Sequence, residues 1–285
     1  MILKRISALA VALTACLTLF AQGQVTTRRY RISDFQDKMT KVVLSENAIL
    51  SEGLRQEIIN NWTSTVFEFC TLEQFESLKT NDSYYFLIPL ENKFKGEEEA
   101  GVVFLTLLKG GKEASEGISS MFEVVSLPLT AVLGVSDRDL IYMGGIVNAI
   151  QDYALAAMES ESAAYKRELW FNGRFDKELR SKDFYIAEED LSSDVKEKDR
   201  TKLLENQGLH IVTADESDAV YMGQESGSVV GYSISPVMPS AGSFSYQLLF
   251  DAESHRLCHV SKHKISAKKS QGFLTGDLKP LGVRK

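Results

Sequence analysis

Cysteine is scarce in this 285-residue chain. Three are present, and one of them, Cys16, falls in an apolar N-terminal stretch. The remaining two, Cys70 and Cys258, are too few for a disulfide scaffold; an oxidising compartment would permit one bridge between them, and their strand-like apolar surroundings favour two buried thiols. Beyond residue 21 no run of eighteen uncharged apolar residues occurs, which excludes a helical membrane span there. A basic surplus is also missing. The formal charge is −7, so a nucleic-acid partner is not expected, and the one basic cluster, Lys262, Lys264, Lys268 and Lys269, is balanced by acidic runs at 97–99 and 188–190.

Motifs that carry chemistry are equally sparse. Gly223 and Gly227 stand in a segment without the GxGxxG order or the lysine-serine ending of a phosphate loop. Around Ser233 a nucleophile elbow would need a glycine where Ser235 stands. His255, His259 and His263 are three of the four histidines, and on a helix their spacing would suit a metal. On a strand, four residues span about 13 Å, too far for one tetrahedral ion. The turn signal at 250–254 favours the strand. No catalytic, cofactor-binding or metal-binding residue is assigned, and no cofactor is implied.

What is present begins with an export signal. Lys4 and Arg5 precede an uncharged stretch at 6–20, and cleavage after Ala21 would leave Gln22 first. Residues 13–16 also match a lipoprotein box, in which Cys16 would be lipidated, although the apolar run continues to Ala21 where a polar tether is usual. Loss of Lys4 and Arg5 moves the formal charge to −9.

The remainder reads as two passes through one α/β plan. In the first, strand 41–44 is followed by a helix with apolar Ile49, Leu50, Leu54, Ile58 and Ile59, capped by Ser45 or Ser51, with Trp62 anchoring its end. Strand 66–70 follows, then a short helix capped by Thr71 with Glu73 or Gln74 near the capping-box position. Strands at 84–88, 102–108 and 121–127 precede a long helix over 137–161, whose Asp137 and Asp139 suit its positive end. The second pass places a strand at 183–187, a polar helix at 193–205, a strand at 209–212 and a short helix from Thr213 to Asp218. Sheet-forming segments at 220–222, 228–234, 244–250 and 257–265 complete it.

The predicted fold class is therefore α/β (α+β): a duplicated strand-helix-strand-helix-strand-strand-strand module with mixed sheets and helices packed on their faces. The predicted organisation is a signal peptide at 1–21, an extension at 22–38, a first module at 39–161, a connecting segment at 162–182, a second module at 183–270 and a tail at 271–285. Trp170, Phe171 and Phe175 in the connection are expected to cover apolar surface.

Asp215, Glu216 and Asp218 in the second pass, like Thr71 and Glu73 in the first, stand beside strand ends where α/β proteins often place sites. Their duplicated position favours capping over a catalytic carboxylate pair, because every copy of the module needs a cap. Tyr84, Tyr85, Tyr221 and Tyr232 are candidates for a small-ligand site. Asn61 and Asn81 head glycosylation patterns.

The order of elements in each half resembles the small α/β module at the amino-terminal end of TolB proteins, related in shape to anticodon-binding domains. The stretches RRYRISDF at 28–35 and FEFCTLEQFESL at 67–78, with the Phe20-Ala21-Gln22 junction, look like secreted proteins of Bacteroidetes without an assigned activity. These resemblances imply a periplasmic or secreted adaptor with an envelope protein or cell-wall component as partner, bearing no glycosylation. The acidic mature chain, without a propeller, departs from the full TolB plan. A secreted hydrolase using a carboxylate pair and a small-ligand binding module are the alternatives.

Overall fold

The computed structural model describes residues 28–165, 167–172, 179, 181–240 and 242–283. The segment expected to act as an export signal, with Cys16, and Phe175 lie outside them. A short helix α1 (Arg29–Ile32) opens the described chain. The first module then runs β1 (Met39–Val43), α2 (Ala48–Asn61), β2 (Phe67–Cys70), α3 (Leu72–Leu78), β3 (Tyr84–Asn92), β4 (Val102–Lys109), β5 (Phe122–Ala131) and α4 (Asp137–Glu159). Helices α5 (Glu161–Tyr165) and α6 (Arg167–Asn172) lead across to β6 (Asp183–Ala187), α7 (Glu197–Leu203), β7 (Leu209–Val212), α8 (Ala214–Met222), β8 (Ser228–Ile234), β9 (Phe244–Asp251), β10 (Leu257–Lys264) and α9 (Thr275–Leu278).

The two modules share one topology. Sheet 1 has the order β2-β1-β3-β4-β5 and sheet 2 the order β7-β6-β8-β9-β10. In each, the first three strands are parallel and the last two antiparallel. The register also repeats. Val43 pairs with Cys70 and Ala187 with Val212, and the next residue, Thr71 or Thr213, caps the following helix. Both threonines close a full capping box, with Gln74 and Glu216 reaching back. An ion pair recurs with its signs exchanged. Lys109 on β4 meets Asp34 before β1 at 2.8 Å, whereas Asp251, at the matching place on β9, meets Lys182 before β6. Burial alone would raise the Asp34 carboxyl, but hydrogen bonds from Lys109, Lys38 and Tyr85 hold it at about 2.

Several local expectations change. Asn47, not Ser45 or Ser51, caps α2 by accepting the Leu50 amide at 3.0 Å, while Ser51 turns its hydroxyl back to the Ser45 carbonyl. Leu50, Leu54 and Ile58, spaced by four, form the buried stripe of α2. Ile49 and Ile59 fall to either side of it and are exposed. Trp62 does anchor the helix end, donating from Nε1 to Thr65. Residues 220–222, expected in a strand, form the last turn of α8: the Thr213 box sets a helical phase that buries Ser217, Asp218, Val220 and Tyr221 on one side. Residues 271–283, read as a tail, bring Phe273, Leu278 and Leu281 into the second module's core.

The modules stack in the same sense. Val42, Tyr85 and Leu87 of sheet 1 point into the core shared by both modules, where Leu54 of α2 and Ile146 of α4 also lie. The opposite face, with Val43, Phe86, Ile88 and Leu108, packs on Phe75 of α3 and on 3₁₀ turns at Lys112–Glu116 and Ile118–Ser120. By register, Ile186 corresponds to Val42 and Val230 to Phe86, yet Ile186 lies in the outer core of sheet 2 and Val230 in the shared one. Sheet 2 thus turns toward sheet 1 the face that sheet 1 turns away. Helix α4 fills the space between them and is buried along most of its length; Tyr142 stacks on Tyr232 and Phe250 of sheet 2, and Tyr153 on Phe171 of the connection.

Candidate functional site at the seam between the modules

The start of α4 gathers a connected set of polar groups at the shared core. Ser136 caps the helix, and Asp139 returns the bond, its Oδ2 accepting from the Ser136 amide and hydroxyl at 2.7 Å each and from Thr130 Oγ1 at 3.0 Å. The other oxygen of Asp139 accepts from Tyr232 at 2.6 Å. Arg138 stands beside them in the first turn, where the helix dipole disfavours a cation. It is held by the second module. Nε and Nη2 donate to Asp218 of α8 at 2.9 and 3.0 Å, and Nη1 donates to Asp190, just after β6, at 3.0 Å. Tyr142 donates to Asp218 at 2.8 Å, and Asp190 accepts the Ser233 amide at 3.2 Å.

Two acids, Asp190 and Asp218, therefore face one guanidinium in a buried setting, with Asp139 beside them. Burial pushes the Asp190 carboxyl up to about 7, outweighing the pull of Arg138. It also pushes the Tyr142 and Tyr232 phenols far upward, with Asp218 and Asp139 adding to the effect, so both remain donors. Desolvation would lower the Arg138 guanidinium, but Asp190 and Asp218 more than offset it and keep it charged. The fork from Arg138 to Asp218 joins the modules through paired, directional bonds. Chemically it is a lock, since its carboxylates are already engaged within the protein.

Beside this lock a cleft of about 250 Å³ opens between the modules. Helix α2 supplies Glu57 and Asn61, α4 supplies Leu140, Ile141 and Asn148, α8 supplies Tyr221 and Met222, and His255 reaches in from the β9–β10 turn. Two adjacent glycines in mid-helix, costing about 1 kcal/mol each relative to alanine, are explained here. A Cβ on Gly144 would overlap Glu57 Oε2, and one on Gly145 would lie 2.6 Å from the Tyr221 hydroxyl. That hydroxyl is buried against the Gly145 backbone.

His255 adopts φ = +53°, a left-handed conformation uncommon outside glycine. The ring stacks on Tyr221 at 4.1 Å and points Nε2 at the Tyr221 carbonyl, 2.8 Å away. A carbonyl only accepts, so Nε2 bears the proton and Nδ1 is an acceptor in the neutral ring. Asn61 donates to Glu57 Oε2 at 2.7 Å and keeps its own carbonyl oxygen for another donor. Desolvation raises the Glu57 carboxyl, opposed by the Asn61 bond and by His255, and no lysine or arginine pairs with it among the described residues.

The residues singled out in the sequence separate in space. His259 and His263 lie on β10; His263 meets the Ser270 carbonyl at 2.7 Å, while burial lowers the basicity of His259. His255 alone of the three enters the cleft. Among the described residues no three histidine, cysteine or acidic side chains converge in a metal-binding arrangement. Cys70 and Cys258 are buried thiols in the outer cores of sheets 1 and 2, and burial raises the Cys70 thiol to about 11.

Glu216 serves its cap, and Glu73 and Asp215 occupy the first turns of their helices. Asp218 departs from the capping reading: one turn further along α8, it faces the seam and binds Arg138. The four tyrosines divide. Tyr232 joins the lock, Tyr221 the cleft, Tyr85 donates to Asp34 at 2.6 Å, and Tyr84 lies beneath Lys41. Sequence reading missed Arg138, Asp190, Tyr142 and Glu57. Arg138 at the unfavourable helix end and the Gly144-Gly145 pair were the legible signals.

By its fold the chain is a tandem α/β protein with a candidate site at the seam. No protein-family model, no curated protein and no solved structure matches it.

Proposed function

We propose that this chain is a non-enzymatic binding or adaptor protein of the cell envelope, exported by its N-terminal segment, which holds a wall or protein component in the groove between its modules. The carrying observation is the lock. The acids that the fold gathers, Asp139, Asp190 and Asp218, are engaged by Arg138, Tyr142, Tyr232 and backbone amides, and they fix the groove walls in place. A binding site gains from such preorganisation, because less freedom is lost when the partner docks.

The test combines cell fractionation and N-terminal sequencing with assays of the purified mature protein. Expected are a mature chain starting at Gln22, saturable binding to isolated envelope or wall fractions, and no turnover of glycan or peptide bonds. Hydrolysis that vanishes in Asp218→Asn while that variant stays folded would overturn the reading in favour of a carboxylate hydrolase.

A further inference from the structure

We infer that the seam cleft is a binding site for a primary aliphatic ammonium group, carried by a small amine or a lysine-like side chain. The inference rests on the binding-protein reading and names the ligand chemistry of its groove. Three observations carry it. Glu57 is a half-buried carboxyl that no lysine or arginine pairs with among the described residues, and while the nearby His255 ring is neutral a docking cation gains its full attraction.

The groups around it also favour a donor-rich ligand. Asn61 and His255 line the cleft; Asn61 keeps its side-chain carbonyl oxygen as an acceptor, and the neutral His255 ring keeps Nδ1, because Nε2 donates to the Tyr221 carbonyl. An ammonium has three donors and no acceptor, which suits these oxygens and this nitrogen better than a polyol, whose oxygens also need donors. Finally, Leu140, Ile141 and Met222 line the same space, and Met222 is largely exposed. They offer apolar contact to the methylenes behind an ammonium, and a flexible methionine adapts to chains of different length.

The backbone around the cleft matches this arrangement. Gly144 leaves the room that the Glu57 carboxylate occupies, and His255 holds a left-handed backbone to bring its ring against Tyr221.

The experiment is isothermal titration of the mature protein with 1,5-diaminopentane, with Nα-acetyl-lysine methylamide, and with 1,5-pentanediol as the uncharged counterpart. Expected is saturable one-site binding of one or both amines, at least tenfold weaker in Glu57→Gln, and no heat from the diol. Preference for the diamine identifies a free amine as the source, and preference for the lysine derivative a protein or peptide side chain. Glu57→Gln retains the Asn61 hydrogen bond, so its melting temperature should equal or exceed that of wild type, and this is measured alongside. Absence of saturable amine binding, or equal binding by Glu57→Gln, overturns the inference. If the amines fail while wall fractions still bind, the ammonium assignment falls and the binding-protein reading stands.

Discussion

Asp190 gives the seam a measurable dependence on pH. Its carboxyl titrates at about 7 in the folded chain, against 3.8 for an ordinary aspartate. Between those values the native protein holds a proton that the unfolded chain has released. The associated stability is fully present below about pH 4 and is lost as pH rises through 7. At about 1.36 kcal/mol per pH unit, a rise of about three units corresponds to about 4 kcal/mol. Asp190→Asn removes the titration while keeping a carbonyl oxygen for the Ser233 amide, and Asp218 still forks onto Arg138. Urea denaturation of wild type and variant from pH 4 to 8 isolates the term, because contributions such as that of Asp34 cancel in the difference. Wild type should lose about 4 kcal/mol relative to the variant as pH rises across this range. A flat difference, or a relative gain by wild type, would show that Arg138 keeps Asp190 ionised and that burial is the weaker influence.

Other substitutions probe the remaining contacts. Arg138→Met leaves Asp190 and Asp218 buried without their cation and should cost about 3–5 kcal/mol in urea melts at pH 8; a loss below about 1 kcal/mol would remove the lock from the account of stability. Gly145→Ala gains helix propensity but crowds the Tyr221 hydroxyl and the Phe250 ring, so a net loss of about 1–3 kcal/mol is expected. Adding Tyr221→Phe should restore part of that loss, and no restoration would place the strain elsewhere. Thr71→Ala and Thr213→Ala should each cost about 1 kcal/mol and speed amide exchange in the first turn of the helix concerned. Alkylation should spare Cys70 and Cys258 in the native protein and label both in urea; a two-dalton mass deficit before reduction would reveal a bridge instead.

The modules were readable because their punctuation is local. Thr71 with Gln74 and Thr213 with Glu216 announce helix starts within four residues, and the strands before them are short apolar runs. Residues 220–222 misled for the same reason: valine, tyrosine and methionine suit a strand, and only the phase set seven residues earlier assigns them to α8. The lock could not be read this way. Arg138 meets Asp190 and Asp218 across 52 and 80 positions, and no periodicity spans such gaps. The stacking of the modules was equally hidden, since both faces of each sheet are apolar and alternation does not say which one meets a neighbour.

That stacking has a polarity. Repeats related by translation and not by a two-fold axis expose, at each end of the pile, the surface that would receive the next unit, so an array of this kind is open-ended unless something terminates it. Here the 3₁₀ turns between β4 and β5 lie over Phe86 and Leu108, and Phe273 and Leu281 close the far end. In the second module the link between β9 and β10 is only a tight turn, and α4 lies over that face instead. Both outward faces of the pile are thus covered, one by the 3₁₀ turns and the other by the segment after β10.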